Sequence, residues 1–360
     1  MRLFSSVIAA TLAAAPLVQA RAQDAHATVT VGTATAKRGE RAYGVIAVPA
    51  GSDSALTIRV AVVNGMRPGP VVALVSGIHG TEYTSIVALT KIIERIDPAT
   101  LTGTVIIVPL VNVASFEQMV PHINPIDRKG VSGFPGDANG TQSLRAVAML
   151  AEQVIKPADI VVDLHGGDLD EDLRPYAYWT RTGDRKLDAA SHTLALAFGL
   201  DMIIVRDIDL TNPASSRGLS GYALSLGKTT LVAEAGRAGI VTAEETAALV
   251  NGCLSMLASL HMIDRKVSQA PVVTWVGKDQ RLRADSGGMF YASAKRGSMV
   301  KKGAKVGSIT DYVGRPQGDV LSPQDGVVTF IRPVPSLSKG ATMVTVLQVY
   351  GATPPPWMKP

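Results

Sequence analysis

Apolar and polar positions alternate in distinct blocks along the 360 residues of this chain, and the block length changes near residue 270. The run Val71-Val72-Ala73-Leu74-Val75-Ser76 is apolar or small at every position, as a strand covered on both faces requires. Gly77 and Gly80 follow it and allow a sharp turn. Ile86, Leu89, Ile92 and Ile93 then share one helical face, so the spacing predicts a helix from about Glu82 to Arg95. Further buried strands are predicted over residues 42–48, 55–63, 103–109, 159–164, 202–205 and 229–234. Helical spacing recurs over 143–155, 187–198, 218–226 and 242–261. Thr242 with Glu245 three positions on marks the last start as a capping box. Strands alternating with helices predict an α/β fold: a mixed, mostly parallel sheet with helices on both faces.

Three stretches break the alternation. Residues 23–42 are small and polar and read as a loose start. Residues 112–140 are rich in Pro, Gly, Asn and Asp, and a loop of that length inside a domain is usually functional. Residues 166–184 read as a second long loop, crowded with Asp168, Asp170, Glu171 and Asp172. From about 270 the texture becomes short strands and Gly-centred turns, which predicts a small C-terminal all-β module separate from the sheet. The division expected is 1–22, 23–265 for the α/β domain, 266–350 for the β module and 351–360 for a Pro-rich tail.

The first segment is a signal peptide by its pattern. Arg2 precedes an apolar run from Leu3 to Pro16, and Ala20-Arg21-Ala22 has the small-x-small form of a cleavage site. Its removal takes away two arginines and no acid, reducing the formal charge from +5 to +3. With no basic cluster, that charge argues against nucleic acid or a membrane surface as partner. No later run is long and apolar enough to span a bilayer. The single Cys253 excludes an internal disulfide. The expectation is an exported protein, periplasmic or secreted.

The chemistry concentrates at strand ends. His79 and Glu82 sit where open α/β sheets build their sites, beyond the carboxyl end of a strand. An imidazole and a carboxylate on one turn suit zinc, which in a catalytic site takes three protein ligands and keeps an open position. A second apolar strand ends in His165-Gly166-Gly167 and offers the third ligand. A third strand, Thr229-Thr230-Leu231-Val232-Ala233-Glu234, ends in an acid. Glu234 suits a general base that takes a proton from water and hands it to a leaving amine. Arg128, Arg174 and Arg217 lie in loops from which a developing oxyanion could be reached.

Gly77-Ile78-His79-Gly80-Thr81-Glu82, Asp163-Leu164-His165-Gly166-Gly167-Asp168 and Ala233-Glu234-Ala235-Gly236 resemble the succinylglutamate desuccinylase/aspartoacylase family, which belongs with the zinc carboxypeptidases. The C-terminal module, with Ser322-Pro323-Gln324-Asp325-Gly326-Val327, resembles that family's lipoyl-like barrel. It lacks a lysine at the hairpin tip, where a carrier would need one. The resemblance implies one Zn2+ per chain on His79, Glu82 and His165, Glu234 as general base, and hydrolysis of an amide in a small N-acyl substrate. Arg128, Asp168 and Arg217 are the expected substrate contacts. Relatives place an arginine after the loop Phe and an Asn-Arg pair before Phe-Pro-Gly; here Met119 and Ser132-Gly133 stand there. Together with the acid-rich run Asp168 to Asp172 directly after a ligand, this loop leads to an expected substrate whose amine half lacks a free α-carboxylate or is cationic. Two other readings use the same fold: a carboxypeptidase or peptide amidase, and a non-catalytic binding protein, to which Glu234 would be of no use.

Overall fold

A computed structural model describes residues 27–354. The signal peptide expected over 1–22 and residues 355–360 of the Pro-rich tail lie outside the described residues. Among the described residues, no helix is long and apolar enough to cross a membrane.

In chain order the first half holds β1 (Thr28–Val31), β2 (Ala34–Lys37), β3 (Glu40–Val48), β4 (Leu56–Asn64), β5 (Arg67–Ser76), α1 (Tyr83–Ile93), β6 (Thr102–Val108), α2 (Val113–Gln118) and α3 (Gln142–Leu150), which runs into a wide turn, Ala151–Ile155. Next come β7 (Ile160–His165), β8 (Asp172–Arg181), α4 (Arg185–Phe198), β9 (Met202–Asp207), α5 (Leu219–Ser225), β10 (Thr229–Arg237) and α6 (Ala243–Ser259). The C-terminal part holds β11 (Thr274–Arg283), β12 (Gly288–Ala292), β13 (Met299–Val300), β14 (Lys305–Thr310), β15 (Pro316–Leu321), β16 (Gly326–Ile331), β17 (Ser336–Leu337) and β18 (Thr342–Gly351).

Twelve strands form one sheet in the order β13-β16-β18-β11-β9-β8-β10-β7-β5-β6-β4-β3. The run β6-β5-β7-β10 is parallel, as is β8-β9-β11, and the two blocks meet antiparallel at β8–β10. The outer pairs are antiparallel, so the whole sheet is mixed. The period-two rule of strands explains its two cores. Val72 and Leu74 of β5 point to one face and pack with Leu89 and Ile92 of α1, Phe198 of α4 and Leu257 of α6. Val71, Ala73 and Val75 point to the other and pack with Val147 and Leu150 of α3 and Tyr222 of α5.

Three expectations are corrected. The loose start is instead a hairpin, β1 with β2, because Val31, Ala34 and Ala36 are buried against the second core. The charged loop 166–184 contains β8, a central strand: its acids are confined to the first residues, and Leu173, Ala177 and Trp179 behind them are buried. The C-terminal module is in part more of the sheet. Thr274-Trp275-Val276 of β11 pair with β9, and Phe330 of β16 pairs with Leu173 of β8. A second sheet, β15-β14-β12-β17, covers that extension, with Phe290, Val306, Val328 and Val344 among the side chains between them. Hydrogen-bonding edges leave no mark on apolar periodicity, which is why the sequence showed a boundary where the sheet runs on.

Candidate functional site

Adjacent parallel strands bring the three sequence motifs together. β7 lies between β5 and β10, with Leu164 opposite Ser76 and His165 opposite Glu234. The turn after β5 must reverse within a few residues. Gly77 adopts φ +65°, and a Cβ there would lie 2.8 Å from the Leu110 backbone, so only glycine fits. Glu82 occupies the N-cap of α1, yet its side chain makes no capping hydrogen bond. It turns into the site instead and accepts from Gly166 N at 3.1 Å.

The result is a compact cluster. His79 Nδ1 lies 2.5 Å from Glu82 Oε1, and His165 Nδ1 lies 3.0 Å from Glu82 Oε2. On its far side, His165 Nε2 lies 3.0 Å from Asp163 Oδ1, a carboxylate placed to fix the ring's tautomer. Glu82 is 3 % exposed. Burial opposes its charge, but His165 and His79 outweigh that and hold its carboxyl down at about 2. Burial likewise opposes charge on both imidazoles, and the carboxylates outweigh it: Glu82 raises His79, and Asp163 with Glu82 raises His165.

His79, Glu82 and His165 each offer one donor atom, all within 4.8 Å of one another. Two imidazoles and a carboxylate fit a divalent ion of the zinc type, and their open side faces a cleft of about 370 Å³. Glu234 lines the same cleft, and Tyr176, its partner across β10–β8, donates its hydroxyl to Glu234 Oε2 at 2.9 Å. Burial pushes the Glu234 carboxyl above its usual range; His165 pulls it down and Glu82 pushes it further up. Glu171, also at the cleft, is pushed up to about 8 by burial and by the charge of Glu82.

The expected substrate contacts are not gathered here. Asp168 is fully buried behind the site: it accepts from Thr81 Oγ1, from Leu169 N at 2.7 Å and from His122 N at 3.1 Å. It ties the His79 turn to the long loop. Arg128 is exposed at a turn with φ 56°, and its amide bonds Asn124 O at 2.8 Å. Arg217 is exposed, and its carbonyl accepts from Gly133 N and Phe134 N. Neither lines the cleft, and Arg174 is paired to both oxygens of Asp201. Met119, at one of the arginine positions of relatives, is 65 % exposed in the left-handed cap of α2.

Sequence reasoning missed Tyr176, Tyr178, Arg206 and Arg281, all of which line the cleft. The alternation Tyr176, Tyr178, Thr180 was a strand signal hidden behind the acids. No local signal marked Arg281, which arrives from the C-terminal module.

The model of the succinylglutamate desuccinylase/aspartoacylase catalytic domain matches residues 68–260. The chain is 25% identical over 323 residues to the N-alpha-acetyl-L-2,4-diaminobutyric acid deacetylase of Halomonas elongata, covering 85% of this chain and 91% of the relative. Among solved structures, a succinylglutamate desuccinylase/aspartoacylase from Rhodobacter sphaeroides superposes with TM-score 0.75 at 24% identity, over 86% of this chain and 95% of its own. The product-bound ectoine utilization protein EutE (DoeB) from Ruegeria pomeroyi gives 0.78 at 22%, over 87% and 96%. The matched catalytic domain spans more than half of the chain and contains all three motifs, so the protein belongs to the succinylglutamate desuccinylase/aspartoacylase family.

Proposed function

We propose that the protein is a zinc-dependent deacylase that hydrolyses the amide bond of a small N-acyl compound outside the cytoplasm. One observation carries the reading: His165 stands opposite Glu234 in register, so the three-donor cluster and a half-buried acid held by Tyr176 open on one cleft. The activities in the names of similar proteins, a deacetylase and desuccinylases, support it. His79, Glu82 and His165 would hold one zinc ion per chain, with Asp163 orienting His165. Bound there, zinc supplies Lewis acidity, lowering the pKa of water towards 7 and polarising an acyl carbonyl.

The remaining work falls to the chain. Glu234 accepts the proton of the attacking water and returns it to the nitrogen as the C–N bond breaks; the new acid then gives up its own proton to the amine, so the products leave as a carboxylate and an ammonium. Its raised pKa makes the return easier, and the Tyr176 hydroxyl fixes the carboxylate's orientation. The C-terminal module forms part of the cleft wall through Thr329, Phe330 and Thr345. Export rests on the N-terminal pattern, and so does the boundary between residues 22 and 23.

The test is amine release from a panel of N-acetyl and N-succinyl amino acids, N-acyl amines and short peptides. Release from N-acyl compounds, lost on chelation and restored by zinc, is expected. Cleavage of peptides alone, or release indifferent to chelation, would overturn the reading.

A further inference from the structure

A second group of ligating side chains lies beside the first. His122, Asp170 and Glu171 each offer one donor atom, all within 4.8 Å of one another. They come from the two stretches whose composition marked them as long loops, and amide hydrolysis at Glu234 uses none of them. The His122 ring stands edge-on to the His79 ring, with centroids 5.8 Å apart. Glu171 lines the same cleft as the first cluster.

Neighbouring residues fix the orientation of the group. Asp168 Oδ2 lies 3.2 Å from His122 Nδ1 and accepts from the His122 amide at 3.1 Å, so one fully buried carboxylate holds both the ring and its backbone. With the proton kept on Nδ1, the Nε2 lone pair is left for a ligand. That nitrogen faces Asp170 Oδ1 at 3.2 Å. The other oxygen of Asp170, Oδ2, pairs with Arg332 at 2.7 Å. Arg332 is buried in turn, and its head donates to Thr342 O at 3.0 Å and Ser336 O at 3.3 Å. Glu171 accepts from Asp168 N through Oε2 at 3.3 Å, while its Oε1 has no hydrogen-bond partner among the described residues. His165 is held on the same plan, with Asp163 behind one nitrogen and Glu82 in front of the other.

We propose that His122, Asp170 and Glu171 form a second divalent-cation site beside the first. One imidazole nitrogen with two carboxylate oxygens suits a first-row ion of the Mn2+ type. Asp168 supplies the carboxylate that orients a ligating histidine from behind. A cation there also gives the free Glu171 oxygen the partner it lacks. Arg332 shares Asp170 and offsets part of its charge, so this site is weaker than the one at His79 and fills after it. Its ion joins the long loop 112–140, through His122, to the turn between β7 and β8, through Asp170 and Glu171. Arg332 extends that connection to the C-terminal module. The proton transfers of the hydrolysis stay with Glu234.

Metal uptake is measured without turnover, so the outcome is independent of the deacylase reading. Protein equilibrated with one equivalent of zinc is titrated with Mn2+, and free Mn2+ is followed by electron paramagnetic resonance. Mn2+ stands lowest in the order of divalent affinities, so it leaves zinc in the His79 site. About one Mn2+ per chain should bind, with the zinc retained. His122→Asn and Glu171→Gln should each weaken Mn2+ binding by at least about tenfold, with zinc content and circular dichroism unchanged. Glu171→Gln is nearly isosteric and keeps the test open if His122→Asn fails to fold. No Mn2+ uptake at millimolar concentration, or uptake unaltered in either folded variant, would overturn the site. Weak uptake of several ions per chain, equal in wild type and variants, is surface binding and would overturn it as well.

Discussion

At the His79 end of the cleft, every catalytic candidate comes from the carboxyl end of a parallel strand, and the three strands involved are neighbours. At the Arg206 end the side chains come from β8, β9 and β11, drawn from both halves of the chain but from the other parallel block of the sheet. The first end is a set of local motifs, each a strand, a polar residue and a glycine turn. The second exists only once the C-terminal strands have paired onto β9 and β8. Chemistry common to a family can sit on the first kind of site, while substrate choice can change on the second without disturbing it.

The largest expected effect breaks the comparison at its catalytic end. Glu234→Gln should leave zinc bound and lower kcat by roughly two to four orders of magnitude, the range for a positioned acid–base group. The loss should be equal for acidic and neutral substrates, because proton transfer is shared by both. Near-normal turnover, measured on any hydrolysed substrate at saturating concentration, would make Glu234 structural.

This contrast also explains what could be read from the sequence. His79, Glu82, His165 and Glu234 were legible because each stands within a few residues of the strand and glycines that position it. The buried strands and the helices of the α/β part were legible for the same reason, since periodicity is local. Asp168 was visible but misplaced: an acid in a charged run reads as exposed, whereas here it closes a buried network with Thr81 and His122. Tyr176 was hidden because the acids before it made its strand look like a loop. Arg206 fell just past the predicted end of its strand, and Arg281 needed a pairing between β11 and β18 that no local pattern encodes.

A smaller effect sharpens the seam between the two ends. Tyr176→Phe removes the hydroxyl that Glu234 accepts, an interaction that lowers the Glu234 pKa against the rise caused by burial. The base works deprotonated, so activity is present above its pKa and is lost as pH falls through it. The substitution should therefore move the acid limb of kcat/KM to higher pH and lower the plateau by up to about tenfold, the scale of one hydrogen bond. An acid limb that stays in place or moves down would show that Tyr176 does not hold the base.

The central claim is that His79, Glu82 and His165 hold the ion on which hydrolysis depends. Titrating zinc into chelator-stripped protein, with hydrolysis and bound metal followed together, tests it most directly. Activity should rise with added zinc and level off at about one equivalent per chain, and folded His165→Ala should bind zinc at least about 100-fold more weakly and stay inactive over the same range. Full activity in the stripped protein, or full zinc occupancy in folded His165→Ala, would contradict it.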